Sequence, residues 1–197
     1  MAKSNKALWI ILGILALLIL WFIGTYNGLV TAQETVDQTW ADVETTYQRR
    51  LDLIPNLVAT VQGAVAFEQE TQTQIAALRT GAEQARTQFN AANTQEEQIA
   101  AARKADQLLT QYRALNINVE NYPQLRSNEN FLSLQDELAG TENRVAVARQ
   151  RYNEAVRTYN VKTKRFPSNV VAGMFGFAEA PFFEAESEAE EAPQVQF

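Results

Sequence analysis

Residues 131–159 read FLSLQDELAGTENRVAVARQRYNEAVRTY. Within them Phe131, Leu134, Leu138, Thr141, Val145, Ala148, Tyr152, Ala155 and Tyr159 recur alternately three and four positions apart, the spacing of a heptad. On a helix that spacing draws one largely apolar stripe, which would face water if the helix stood alone. The stripe therefore needs partners, and the rest of the chain supplies them. No internal repeat of 20–50 residues is evident, so a bundle is expected rather than a solenoid.

Upstream, Val36, Trp40, Val43, Tyr47, Leu51 and Ile54 give a first seam of the same kind. Pro55 is expected to end that helix and open the next, because a residue preceding proline is pushed out of the α region. The second helix carries Leu57, Val58, Val61, Val65, Ile75, Leu78, Ala82, Ala85 and Phe89, interrupted by Glu68, and stops near Asn90. Thr94 followed by Glu97 forms a capping box for a third helix through Leu108, Tyr112, Leu115 and Val119. Tyr122-Pro123 closes it, and Ser127 or Asn128 caps the heptad helix. Short connections imply antiparallel neighbours. In that order the loop at Asn90 to Thr94 and the end of the fourth helix both point back to the start of the first.

That start is apolar. Ala7 to Gly24, ALWIILGILALLILWFIG, holds 18 residues without a charge, ~27 Å as a helix against a hydrocarbon core of ~30 Å. It reads as one transmembrane helix, anchored by Trp9 at one end and by Trp21 and Tyr26 at the other, where amphipathic rings favour the headgroups. A cleaved secretory signal is the competing reading, with Lys3 and Lys6 as its basic region and Val30-Thr31-Ala32 as a cleavage site. The run is longer than such signals need and the site lies well beyond it. Lys3 and Lys6 precede the span, and Glu34, Asp37, Asp42 and Glu44 follow it, which puts the N-terminus in the cytoplasm and the bundle outside.

The expected fold is therefore all-α: an N-terminal transmembrane helix continuing into an antiparallel four-helix bundle, with a flexible acidic C-terminal tail. Residues 1–6 form a short cytoplasmic N-terminus, 7–29 the span, 30–167 the bundle, and 168–197 an aromatic and then acidic tail.

Composition narrows the function. The 197 residues contain no histidine and no cysteine, which removes Ser-His-Asp and Cys-His nucleophiles, thiolate or imidazole zinc sites and haem histidines. No glycine falls in a phosphate-binding loop pattern. The net charge of −6 sits after Arg165, where Glu179, Glu184, Glu186, Glu188, Glu190 and Glu191 have no basic neighbour. Without those six the acids equal the 17 bases, so the body has no field to gather phosphates and nucleic acid is not an expected partner.

Several charged groups remain as candidates. Lys162, Lys164 and Arg165, with Arg157 just before them, complement the negative end of the fourth helix. Next to Phe166, Phe175, Phe177, Phe182 and Phe183, they also make a contact surface for anionic lipid or a partner. Arg49, Arg50 and Asp52 are expected to cap a helix end or form partly buried pairs. Glu68 and Glu142 are the acids expected nearest the core, with Arg144 and Arg149 within reach in sequence. Glu68, Asp106, Glu120, Glu137 and Glu142 lie near inner faces, but no calcium-loop pattern accompanies them. No metal, cofactor or catalytic residue is expected.

Tyr26-Asn27-Gly28-Leu29-Val30, Trp40 and Arg49-Arg50-Leu51-Asp52-Leu53-Ile54-Pro55-Asn56-Leu57-Val58 resemble the bacterial LemA family. So do Glu120-Asn121-Tyr122-Pro123, Leu134-Gln135-Asp136-Glu137-Leu138, Thr141-Glu142-Asn143-Arg144, Tyr152-Asn153, Tyr159-Asn160, Phe166-Pro167 and Gly176-Phe177. The resemblance covers residues 24 to about 184. It implies a single-span helical bundle of bacterial membranes with no established catalytic activity and no active site to carry over. One departure is Phe67, where the family often has a histidine before the glutamate that is Glu68 here. The expected role is structural: a scaffold of the bacterial cell envelope that self-associates, with the bilayer, further copies of itself and other membrane proteins as partners. The alternative is a lipid-interacting module acting through the basic helix end and the phenylalanines.

Overall fold

A computed structural model describes residues 2–64, 69–114 and 127–183. It is all-α, with no strand among the described residues. The five helices are α1 (Ala2–Ala64), α2 (Gln69–Ala91), α3 (Gln95–Ala114), α4 (Glu129–Lys164) and α5 (Ser168–Phe175). The chain divides into two compact units, one of Met1–Trp40 with Arg151–Glu184, the other built on Ala41–Gln150.

In the second unit the seams meet as their periods require. Val43, Tyr47, Leu51 and Ile54 of α1, Ile75, Leu78, Ala82, Ala85 and Phe89 of α2, and Phe131, Leu138, Thr141, Val145 and Ala148 of α4 are buried, with Leu134 half-buried. The seam of α3 is made of smaller residues, Ala101, Ala102 and Ala105 between Ile99 and Leu108. Small side chains let α3 lie close to α2, and Gly81 marks the tightest approach: a Cβ there would stand 2.6 Å from a Leu108 methyl. The capping signals hold. Glu97 N–H donates to Thr94 Oγ1 (3.2 Å), Asn93 N–H donates to the Glu97 carboxylate (2.8 Å), and Phe131 N–H donates to Asn128 Oδ1 (3.2 Å).

Pro55 does not end the first helix. α1 runs through it to Ala64, so the N–H that would have bonded the Leu51 carbonyl is missing from a continuing helix. Proline in a helix interior costs ~3 kcal/mol. The buried side chains on either side, Leu51, Leu53 and Ile54 before it and Leu57, Val58 and Val61 after it, each contribute ~1.5–3 kcal/mol, and holding them on one stripe outweighs the lost bond. The second helix accordingly begins at Gln69. Val65 and Glu68, Leu115 to Val119, Glu120 and Tyr122-Pro123 lie outside the described residues.

The 90–94 loop returns along α1 only part of the way toward its start. Gln98, in the first turn of α3, bonds Glu44 (3.4 Å), well past the residues that follow Gly24. Over the described residues α2 has 23 residues and α3 has 20, against 36 in α4. The end of α4 reaches farther along α1, where Lys162 Nζ donates to the Gly28 carbonyl (3.3 Å).

In the first unit, the large apolar side chains from Leu8 to Leu20 are exposed on every side of α1. Helix α1 is long and apolar enough there to cross a membrane. From Leu29 onward apolarity narrows to the buried stripe Leu29, Ala32, Val36 and Trp40. In it Trp40 meets Tyr152 of α4 edge-on and Leu29 packs with Val171 and Ala172 of α5, while Ala155, Val156 and Tyr159 of α4 are buried in the same unit. Residues 168–183, assigned to a tail by sequence, thus begin as a folded part of this unit. Helix α5 ends in a Schellman motif: Gly176 adopts φ +74°, and Phe177 N–H bonds the Ala172 carbonyl (3.0 Å). The acidic residues from Glu184 onward lie outside the described residues.

Replacing Pro55 with Ala restores the missing donor and should raise stability by about 1–3 kcal/mol. A urea melt of the full-length protein in mild detergent, followed by helical ellipticity, reads this as a higher midpoint. An unchanged or lower midpoint would mean that the helix depends on the proline's local geometry.

Candidate functional site

Two side-chain constellations stand out, one in each unit. The first joins α1, α3 and α4 around Asp106. Tyr47 is fully buried and Arg50 is 4% exposed, both on the seam of α1. Asp106, whose side chain is 17% exposed, projects from the alanine stripe of α3. Its carboxylate accepts hydrogen bonds from Arg50, from Arg149 and from the Tyr47 hydroxyl (3.0 Å to Oδ2). Arg149 also donates to the Tyr47 oxygen. Both guanidinium groups stand over the Tyr47 ring, 5.4 and 5.3 Å from its centroid, and Phe89 stacks on that ring at 6.2 Å. Burial lowers the Arg50 pKa from its ordinary value; Asp106 and, farther off, Glu142 oppose that shift, while Arg113 adds to it. The Arg50 Nε–H is buried with no acceptor.

Chemically this is a clasp. Arginine does not release its proton near neutral pH, and the carboxylate is already occupied by two cations and a hydroxyl. Around it, Arg49 pairs with Glu137, Arg113 with Glu142, and Asp52 with Arg86 (3.2 Å). The pairing expected of Arg49, Arg50 and Asp52 is therefore seen, but Arg50 is deeper than its neighbours. Glu142 is half-buried, as expected, yet Asp106 is the more buried acid, Arg149 reaches it, and Arg144 stays exposed. The available sign was a lone aspartate on an alanine stripe. Among the described residues no group of three acidic side chains could hold a metal ion.

The second constellation lies on α4 in the first unit. Asn160 Nδ2 donates to the Ala180 carbonyl and its Oδ1 accepts from Ala180 N–H, both at 2.9 Å. Asn153 does the same with Phe183, again at 2.9 Å each way. Between them the Tyr152 hydroxyl donates to the Pro181 carbonyl (2.7 Å). Phe183 is buried at 3% exposure. Periodicity places Tyr152 on the heptad stripe, but Asn153 and Asn160 stand out in the sequence only through the family resemblance, since a side-chain amide pairing with a distant main chain leaves no periodic signal.

The residues expected at the membrane and partner surface separate. Trp9 and Trp21 are exposed, whereas Tyr26 is half-buried and packs edge-on against Phe175 (4.9 Å) and Phe177 (5.7 Å). Phe175 also meets Phe22 at 5.8 Å. Lys164 pairs with Glu179 (2.7 Å), Lys162 bonds Gly28, and Arg165 is exposed. Phe182 remains exposed, but Phe183 faces inward. Phe166, Val170 and Met174, which sequence reading did not weigh together, are exposed beside Phe175, with Phe166 at 77% and Met174 at 68%.

Asp106→Asn should cost about 3 kcal/mol, because two guanidiniums would converge on a neutral amide inside the packed unit. Arg149→Gln should cost less, about 1 kcal/mol, because it leaves the Asp106–Arg50 pair intact. Urea midpoints in mild detergent order the two, and the reverse order would displace Asp106 as the centre of the clasp.

Residues 35% identical over a 66-residue stretch relate the chain to "Magnetosome protein MamQ 2" and "Magnetosome protein MamQ 1" of Paramagnetospirillum magneticum, and 31% over 65 residues relates it to "Magnetosome protein MamQ" of Magnetospirillum gryphiswaldense. Those stretches are about a third of this chain, 34% and 33%, and the match spans 24% of each relative's length. The LemA family model matches residues 39–197, a range that holds both the clasp and the amide ladder. With its exposed apolar run, this is a membrane-associated helical protein, and the chain belongs to the LemA family.

Proposed function

We propose that this protein is a single-pass anchor and scaffold of the bacterial cell envelope. Its antiparallel four-helix bundle stands on a transmembrane helix and assembles with further copies of itself and with other membrane proteins. The observation that carries this reading is α1: one helix passes without a break from an apolar run exposed on all sides to a seam buried among α2, α3 and α4. The run has the character of a lipid-facing segment, while the seams and the Asp106 clasp hold α1, α2, α3 and α4 together in one packed body. The pairings Tyr47–Phe89 and Asp52–Arg86, Gln88–Lys104 and Gly81–Leu108, and Arg113–Glu142 and Asp106–Arg149 each descend on one helix as they climb on the next, which supports the up-down order. The role is non-enzymatic, and neither cofactor nor nucleic acid takes part. The boundaries follow: residues 1–6 short and cytoplasmic, 7–29 in the inner membrane, 30–167 in the bundle on the non-cytoplasmic side, and a C-terminal segment from 168. Lys3 and Lys6 before the span, and acids after it, support that orientation.

Light scattering on the full-length protein in mild detergent, with electron microscopy of the same sample, should give a mass that is a multiple of the 22.1 kDa chain and a particle of defined symmetry. A monodisperse monomer would remove self-association from the reading.

A second reading, contact of the folded domain with lipid, is favoured by α5. Its Val171 and Ala172 turn inward while Val170 and Met174 stay exposed, with Phe166 and the cation of Arg165 just ahead of them. Phe175 packs on Phe22, inside the apolar run itself. The exposed face of α5 therefore continues the apolar surface of the span, as an interfacial helix does. Trp9, Trp21 and Tyr26 serve as ring anchors, and Lys162 and Lys164 add positive charge. Because the chain has no cysteine, Met174→Cys gives a unique site for a polarity-sensitive dye. In vesicles containing spin-labelled lipid the dye at 174 should be quenched several-fold more than one at Thr158→Cys. Equal quenching would take α5 away from the bilayer.

A further inference from the structure

The amide ladder on α4 has the properties of a peptide-binding groove. All five of its hydrogen bonds end on the main chain of residues 180–183. Asn153 and Asn160 lie seven residues apart on one face, ~10.5 Å along the helix at 1.5 Å per residue. Ala180 and Phe183 are three residues apart, ~10 Å at the rise of extended chain. The two lengths match, so each asparagine meets one residue's N–H and C=O together, as a neighbouring strand would. Pro181 has no N–H to satisfy and accepts only through its carbonyl, where Tyr152 waits. Side chains take part through the buried Phe183 ring and the Lys164–Glu179 pair. Phe177 belongs to the capped end of α5, and Ala178 and Glu179, both exposed, join it to the ladder segment.

We propose that this groove is a site for exchange between copies: Tyr152, Asn153 and Asn160 of one chain bind residues 179–183 of another in place of their own. The proposal rests on the self-association reading above. A main-chain ladder does not distinguish which molecule supplies the strand, and an identical segment brings the same phenylalanine and the same glutamate. The bonds formed equal the bonds broken, so exchange needs little net enthalpy, the general condition for swapping an element between like subunits. The apolar run of α1 holds copies in one bilayer plane with their Gly28 residues at a common depth. Lys162, on the same α4 end as the ladder, bonds Gly28. Each copy's ladder is thereby presented at the height of its neighbour's segment, which raises the effective concentration of the exchange.

The cysteine-free full-length chain makes the test direct. Lys164→Cys on one tagged chain and Glu179→Cys on a differently tagged chain are co-expressed and treated in membranes with a short bismaleimide. Both positions are exposed, so neither change should disturb folding. Lys164→Cys paired with Arg151→Cys is the mismatched control, because residue 151 is two positions from Asn153 and faces the other side of α4. Exchange predicts two-tag dimers from the matched pair in several-fold excess over the mismatched pair. A multimeric mass by light scattering with equal yields, and with internal linkage alone in a Lys164→Cys/Glu179→Cys chain, would overturn exchange and leave self-association standing. A monomeric mass would overturn both. Loss of the matched dimers on adding an extended peptide of unrelated sequence would assign the groove to peptides at large rather than to a second copy.

Discussion

Everything in the molecule depends on α1 remaining one helix while its surroundings change. A chain inside hydrocarbon has no water to satisfy its amides, so unbroken helix is the only economical state there. Side chains answer the same constraint. From Leu8 to Leu20 the large residues are apolar on all faces, and by Leu29 only one stripe remains so. Thr25 stands between these regimes and satisfies its hydroxyl on the Trp21 carbonyl of its own helix (2.9 Å), which needs neither water nor a partner. Pro55, farther along, is tolerated for a different reason: buried residues on both sides hold the helix in line.

Within the second unit, apolar seams alone would define the packing weakly. A stripe of Ala, Leu and Val fits nearly as well when shifted by one turn, ~5.4 Å. A shift of that size would carry Asp106 out of reach of Arg50 and Arg149 together. Two cations facing one anion are a poor source of stability once desolvation is counted, and Arg50 carries that cost in its lowered pKa and its unmatched Nε–H. What the clasp contributes is register among α1, α3 and α4, with Tyr47 serving both as hydrogen-bonding centre and as the aromatic face for the two guanidiniums. A similar cost of burial appears in the first unit, where desolvation and then the charge of Asp37 raise the Tyr159 pKa.

Periodicity made the helices legible, and local chemistry made their starts legible: Thr94, Glu97 and Asn128 act as read. Periodicity also named most of the core, from Val36 to Tyr159. It failed where one residue's local preference opposed a long stripe, as at Pro55, and where a seam was built of alanines, whose burial is no more periodic than their abundance. The level that the 90–94 loop reaches along α1 was not legible for a related reason. The capping box at Thr94 fixes where α3 begins in sequence but says nothing of how far along α1 that point lies. Of the two constellations, the ion pairs near Arg49 were foreseen as a class, whereas Asp106 as their centre was not, since three of its partners lie more than forty residues away.

The ladder on α4 was hidden for a different reason, and that reason bears on what the domain does. Recognition through main-chain groups constrains the host, which must place amides seven residues apart, but hardly constrains the guest, which need only be extended. No pattern in residues 178–183 therefore announces that they are bound. An apolar groove would have required a matching apolar segment, visible in sequence and committed to one register. The α4 groove instead holds its guest largely by the main chain, with Phe183 and the Lys164–Glu179 pair beside it. Such a site is suited to holding the chain's own segment in one molecule and the same segment of a neighbour in another, with no change in the bonds made.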